Sequence, residues 1–64
     1  MARQSKADKA LDRAYDETYR RLGNGVQVNM MDLGKMRNEA LAAVKVGGDM
    51  EEAVKAAIAK YRVN

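Results

Sequence analysis

Apolar residues recur at helical spacing in three segments of the chain, and residues typical of helix ends lie between these segments. The first segment covers about residues 6–22, starts at Ser5 and ends at the turn of residues 23–25. Its spacing predicts an amphipathic helix with an apolar, buried face on one side and a charged face on the opposite side. The residues of that predicted buried face are Ala7, Ala10, Leu11, Ala14, Tyr15, Thr18 and Leu22.

The second helix is predicted over about residues 31–46, starting near Asn29 or Asp32, since both residue types are good N-caps. Gly34 in its first turn costs up to about 1 kcal/mol relative to alanine, which indicates either a close backbone approach or a frayed start. The predicted core face comprises Met30, Leu33, Met36, Ala40, Leu41 and Val44. The reverse side also carries apolar residues, so this helix is expected to be central or to meet a partner.

The third helix is predicted over about residues 50–62. Gly47 and Gly48 end the second helix, and Asp49 caps the third, with Glu52 three residues further on. Its apolar stripe consists of Met50, Ala53, Val54, Ala57, Ile58 and Tyr61. The chain is therefore predicted to be all-α, a compact three-helix domain (about 6–22, 31–46 and 50–62) that occupies residues 1–64 as a single unit.

Residues 26–30, Val-Gln-Val-Asn-Met, alternate between apolar and polar side chains, which is the period of a strand. Five residues alone do not make a stable sheet. The segment is therefore either an extended linker or a strand that pairs with the same segment of a second chain.

Composition narrows the classes of function. The 64-residue chain has no cysteine, histidine, phenylalanine or tryptophan, and its formal net charge is +3. A core of alanine, valine, methionine and leucine is small, so we expect a second chain or another partner, a homodimer included, to complete it. Without histidine or cysteine, an enzyme, a metal site and a cofactor are not expected. The charge is a mild bias, whereas nucleic-acid binders usually show a denser basic patch.

No apolar run approaches the about 20 residues that span a bilayer, and no apolar signal segment is visible near the start. These observations predict a cytoplasmic protein that does not act at a membrane.

Six residues are predicted to contact a partner protein. Arg37 interrupts the core face of the second helix, and there it either extends to solvent beside an acid of the first helix or anchors a partner's carboxylate or phosphate. Tyr19 lies at the border of the first helix's apolar face. Met31 projects away from the core face, and methionine suits adaptable binding surfaces as well as irregular cores. The remaining three predicted contacts are Lys35, Ala42 and Val46, which lie with Met31 on the reverse face of the second helix.

The pattern Gly47-x-Asp49, followed by Val54, Ala57-Ile58 and Tyr61, resembles the second helix of ribbon-helix-helix DNA-binding proteins. The resemblance covers residues 26–62. It implies a dimer in which residues 26–29 form a ribbon, with Gln27 and Asn29 directed toward base edges; both residue types can make paired hydrogen bonds to adenine.

Two functions follow as expectations. The first is a small non-enzymatic helical binding protein, an accessory regulator or inhibitor of the kind that phages and plasmids encode, acting through protein contact. The alternative is a dimeric ribbon-helix-helix-like transcriptional repressor. Nucleic acid is the less favoured partner because the charge is only mildly basic.

Overall fold

The computed structural model describes residues 6–64, which form three α-helices, as the sequence predicts. Helix α1 covers Lys6–Leu22, a 3-10 turn covers Met30–Asp32, α2 covers Leu33–Lys45 and α3 covers Met50–Tyr61. Helices α2 and α3 form the most extensive helix pair, and α1 packs across both. The predicted start of the first helix at Ser5 lies outside the described residues.

The core lies where the three helices meet, and small side chains keep the helices close together. Met36 of α2 and Val54 of α3 are fully buried at its centre. The other buried residues are Tyr15, Ala40, Leu41, Ala57 and Ile58. The predicted stripe of α3 is confirmed, since all six of its residues are buried or packed against the core.

The predicted core faces of the first and second helices are wrong near the start of each helix. Ala7 and Ala10 are exposed, because α1 has 17 residues whereas α2 has 13 and α3 has 12, so its first turns extend past the buried layer. Met30 is 85% exposed and Leu33 is 42% exposed. Met30 lies in the 3-10 turn and therefore does not follow the face of α2.

Of the helix caps predicted at Asn29, Asp32 and Asp49, only Asp49 makes a side-chain capping hydrogen bond. Asn29 and Asp32 precede the 3-10 turn and α2, as predicted, but the side chain of neither makes a capping hydrogen bond. The 3-10 turn provides the helix start, since the N–H of Leu33 donates to the carbonyl of Met30. Asp49 is confirmed as the cap of α3, because its carboxylate accepts a hydrogen bond of 3.1 Å from the N–H of Glu52.

Gly47 and Gly48 end α2 in a Schellman motif, the common glycine-terminated helix end. The N–H of Gly48 donates to the carbonyl of Ala43 over 2.9 Å, and that of Gly47 donates to Val44 over 3.0 Å. Gly47 has a φ of +102°, and a Cβ on Gly48 would lie 2.7 Å from the Ala43 carbonyl oxygen. Both glycines are therefore required for the turn between α2 and α3.

Residues 26–28 pair with the C-terminal residues of the same chain, an arrangement that the sequence did not predict. Val28 and Arg62 form an isolated antiparallel bridge. The N–H of Val63 donates to the carbonyl of Gln27 over 2.9 Å, and the side chain of Asn64 accepts from the N–H of Gln27 over 3.2 Å. The alternation along residues 26–30 indicates an extended backbone, but it does not indicate which segment pairs with it.

Candidate protein-binding surface

The start of α2 exposes three large apolar side chains within four positions. Met30 and Met31 in the 3-10 turn are 85% and 88% exposed, and Leu33 in the first turn of the helix is 42% exposed. Single exposed apolar residues are common on soluble proteins, but neighbouring ones more often mark a contact site. We call the segment Met30–Asp32 the methionine turn.

A cleft between α1 and α2 lies directly beside Leu33. Its volume is about 220 Å³. The residues that line this tyrosine cleft are Tyr15, Asp16, Tyr19, Leu33, Gly34 and Arg37. The rings of the two tyrosines stack one helical turn apart, with centroids separated by 5.9 Å and planes inclined by 27°. The cleft therefore offers an aromatic wall, an aliphatic edge and one charge of each sign.

The electrostatics of the cleft depend on Tyr15, Asp16 and Arg37. Burial raises the pKa of Tyr15, helped by Tyr19 and Asp16 and opposed by the positive charge of Arg37. The Tyr15 hydroxyl therefore stays protonated at neutral pH. Arg37 is exposed and forms no ion pair with any residue of 6–64, so the ion pair to an acid of α1 considered from the sequence is not formed. Its guanidinium is available to an anionic group of a partner.

The six residues predicted to contact a partner separate into two surfaces. Tyr19 and Arg37 come together in the tyrosine cleft, and Met31 lies in the methionine turn next to Leu33. Lys35 and Ala42 are exposed on the opposite side of α2, about 140–160° around the helix from Arg37 at about 100° per residue. Val46, 86% exposed, follows the helix at its far end.

Gln27 and Asn29, the residues that the family resemblance directs toward bases, are both exposed. The backbone of Gln27 is engaged on its N–H and on its carbonyl by the C-terminal residues 63 and 64. One edge of this extended segment is therefore covered by the chain itself.

Sequence reasoning did not assign Met30, Leu33, Gly34 and Asp16 to a contact surface. Helical spacing predicts Met30 and Leu33 on the core face, because it assigns them to the same face as Met36 and Ala40. Of the two explanations for Gly34, a close backbone approach is not found, since a Cβ there would meet nothing within 4 Å. Gly34 lines the tyrosine cleft instead.

A polar cluster on the other side of α2 was also not predicted. Lys60 donates to Glu39 over 2.8 Å, the hydroxyl of Tyr61 donates to the same carboxylate, and the Lys60 ammonium lies 5.3 Å from the centre of the Tyr61 ring. Hydrogen bonds from Lys60 and Tyr61 lower the pKa of Glu39. The cluster joins α2 to α3 at the surface, and sequence patterns do not show it because its members are 21 and 22 residues apart.

Within residues 6–64, no group of acidic, histidine or cysteine side chains is arranged to hold a metal ion. None of the helices in that range combines the length and the apolarity needed to cross a membrane. The groups in the tyrosine cleft are suited to packing, hydrogen bonding and charge pairing.

Comparison of the chain with protein-family models, with curated proteins and with solved structures finds no match. The chemistry of the exposed residues is therefore the basis for a functional proposal.

Proposed function

We propose that this chain is a non-catalytic binding protein that regulates or inhibits another protein through direct contact. The contact surface consists of the methionine turn, Leu33 and the tyrosine cleft. The observation that supports the proposal is the proximity of three exposed large apolar side chains to a cleft that holds Tyr19 and an Arg37 without an ion-pair partner among residues 6–64.

The residue types of this surface match those that contribute most to protein interfaces. Methionine, tyrosine and arginine are enriched in interface cores, and tyrosine and arginine dominate the positions where truncation costs most affinity. Full burial of a Met or Leu side chain contributes about 1.5–3 kcal/mol. Met30, Met31 and Leu33 therefore provide a large part of the driving force for association once a partner covers them.

A contact surface of ordinary size would cover only a small part of this chain. The accessible surface totals 4902 Å². A stable interface buries about 800 Å² on each partner, so it would cover about one sixth of this surface. A second copy of the chain is one partner that fits, because the small core of a 64-residue chain favours association. Sedimentation at micromolar concentration distinguishes a homodimer from a monomer that binds a different protein.

The proposal is tested by affinity capture of partner proteins from the source cell with purified variants. Leu33→Asp and Met31→Asp place a charge in the contact surface, and each is expected to abolish retention of a partner that the unchanged chain retains. Ala59→Asp, on the exposed face of α3, is the matched control and is expected to retain it. Far-ultraviolet circular dichroism confirms that all variants are folded.

Val46→Asp distinguishes the two surfaces to which the sequence-predicted residues belong. If the contact lies on the side of Lys35 and Ala42, Val46→Asp abolishes capture and Leu33→Asp does not. A mobility shift with duplex DNA that depends steeply on salt, and that is lost in the double variant Gln27→Ala and Asn29→Ala, supports the DNA-binding repressor instead.

A further inference from the structure

Tyr19 separates the tyrosine cleft from a second cleft at the end of α1. This second cleft has a volume of about 430 Å³ and is lined by Asp16, Tyr19, Arg20, Gly23, Asn24 and Gly25. Asp16 and Tyr19 line both clefts, so the two clefts adjoin at these residues, and we call the pair of clefts the trough.

The charges along the trough are unbalanced. Arg20 lines the cleft at the end of α1 and Arg37 lines the tyrosine cleft, and both are exposed. Neither forms an ion pair within residues 6–64, whereas the neighbouring Arg21 is paired with Glu51 of α3 at 3.6 Å. Asp16 is the single carboxylate that lines the trough, so two guanidinium groups face one negative charge.

Tyr19 and Leu33 form the apolar part of the trough. Tyr19 stacks on the buried Tyr15, which fixes the orientation of its ring, and Leu33 provides an exposed aliphatic side chain at the other wall. A ligand that covers the trough therefore meets two cations, an aromatic ring and an aliphatic side chain.

We propose that the trough binds an acidic segment of the partner protein, in which an Asp or Glu lies within a few residues of an aromatic or aliphatic side chain. The acidic group pairs with Arg37 or Arg20, and guanidinium groups bind carboxylates with two parallel hydrogen bonds. The apolar side chain packs on Tyr19 and Leu33. This inference rests on the proposed protein-binding function and specifies the chemistry of its partner.

Asp16 favours a peptide over a nucleic acid as the occupant. Asp16 lines both clefts, and its negative charge disfavours a phosphate backbone, which carries several closely spaced charges, more than a peptide with a single carboxylate. A peptide that carries one carboxylate leaves the trough close to neutral. The backbone N–H groups of such a peptide can also donate hydrogen bonds to the Asp16 carboxylate.

Selection from a random-peptide phage library on the purified chain tests the inference without knowledge of the natural partner. Enriched peptides are expected to carry Asp or Glu within two or three positions of an aromatic or aliphatic residue. The affinity of a synthetic enriched peptide is expected to fall about tenfold or more for the double variant Arg20→Gln and Arg37→Gln, since bonds between charged groups are lost. Replacing the peptide's acidic residue by its amide should cause a similar loss.

Arg13→Gln is the matched control, because Arg13 is an exposed arginine of α1 that lines neither cleft of the trough, and its affinity should be unchanged. Enriched peptides that lack acidic residues, or that bind the double variant equally well, overturn the inference while capture sensitive to Leu33→Asp still supports the protein-binding function. Failure of any peptide to enrich also counts against it. Binding of a single-stranded oligonucleotide at physiological salt that is lost in the double variant overturns it in favour of nucleic acid.

Discussion

Gly34→Ala is predicted to stabilise the fold and to weaken partner binding at the same time. Gly34 lies in the first turn of α2, and a Cβ there would meet nothing within 4 Å. Glycine in a helix costs about 0.5–1 kcal/mol relative to alanine. The first turn is the least sensitive part of a helix, so we expect a gain near 0.5 kcal/mol, or about 2–4 °C in Tm.

The same glycine lines the tyrosine cleft, so a methyl group at this position takes up space at the wall of the contact surface. Urea unfolding followed by circular dichroism measures the stability, and capture of the partner measures binding. Gly48→Ala is the matched control, because its Cβ would lie 2.7 Å from the Ala43 carbonyl oxygen, and it should lose about 1 kcal/mol or more. Loss of stability in Gly34→Ala would contradict either the helical conformation of Gly34 or the free space beside its Cα.

Two further substitutions test the core and the polar cluster. Met36→Ala, at a fully buried position, is expected to lose about 2–5 kcal/mol in urea unfolding, whereas Met31→Ala at an 88% exposed position should stay within about 0.5 kcal/mol of the unchanged chain; equal losses would contradict the assigned core. The hydrogen bonds from Lys60 and Tyr61 lower the pKa of Glu39 below 4.5, so its contribution to stability is present above its unfolded pKa and is lost as pH falls through the folded one. Glu39→Gln should therefore flatten the acid side of the stability profile below about pH 4.5, and a variant profile as steep as that of the unchanged chain would contradict the cluster.

Features that depend on local sequence were predicted well. The stripe of α3 and the Asp49 cap follow from side chains a few residues apart, and both are confirmed. The predicted start of α2 is too early because residues 30–32 form a 3-10 turn, which does not continue the buried face of α2. This difference places Met30 on the surface, whereas Leu33 lies within α2 and is exposed at the edge of the tyrosine cleft.

Features that depend on distant segments were not predictable from pattern. Tyr19 and Arg37 were each chosen for a partner contact, but their meeting in one cleft depends on how α1 packs on α2. The pairing of residues 26–28 with the C-terminal residues joins positions more than 30 residues apart, as the contact of Gln27 with Asn64 over a separation of 37 shows. Hydrophobic periodicity indicates which face is buried, but it contains no information about which helix or strand covers it.

Oxidative footprinting of the methionines in the purified complex tests the contact surface most directly. Met30 and Met31 are exposed in the free chain and should oxidise readily, whereas the fully buried Met36 serves as an internal reference. We predict that partner binding lowers the oxidation rates of Met30 and Met31 several-fold and leaves that of the partly buried Met50 unchanged. Equal oxidation of Met30 and Met31 with and without the partner would contradict the proposed surface.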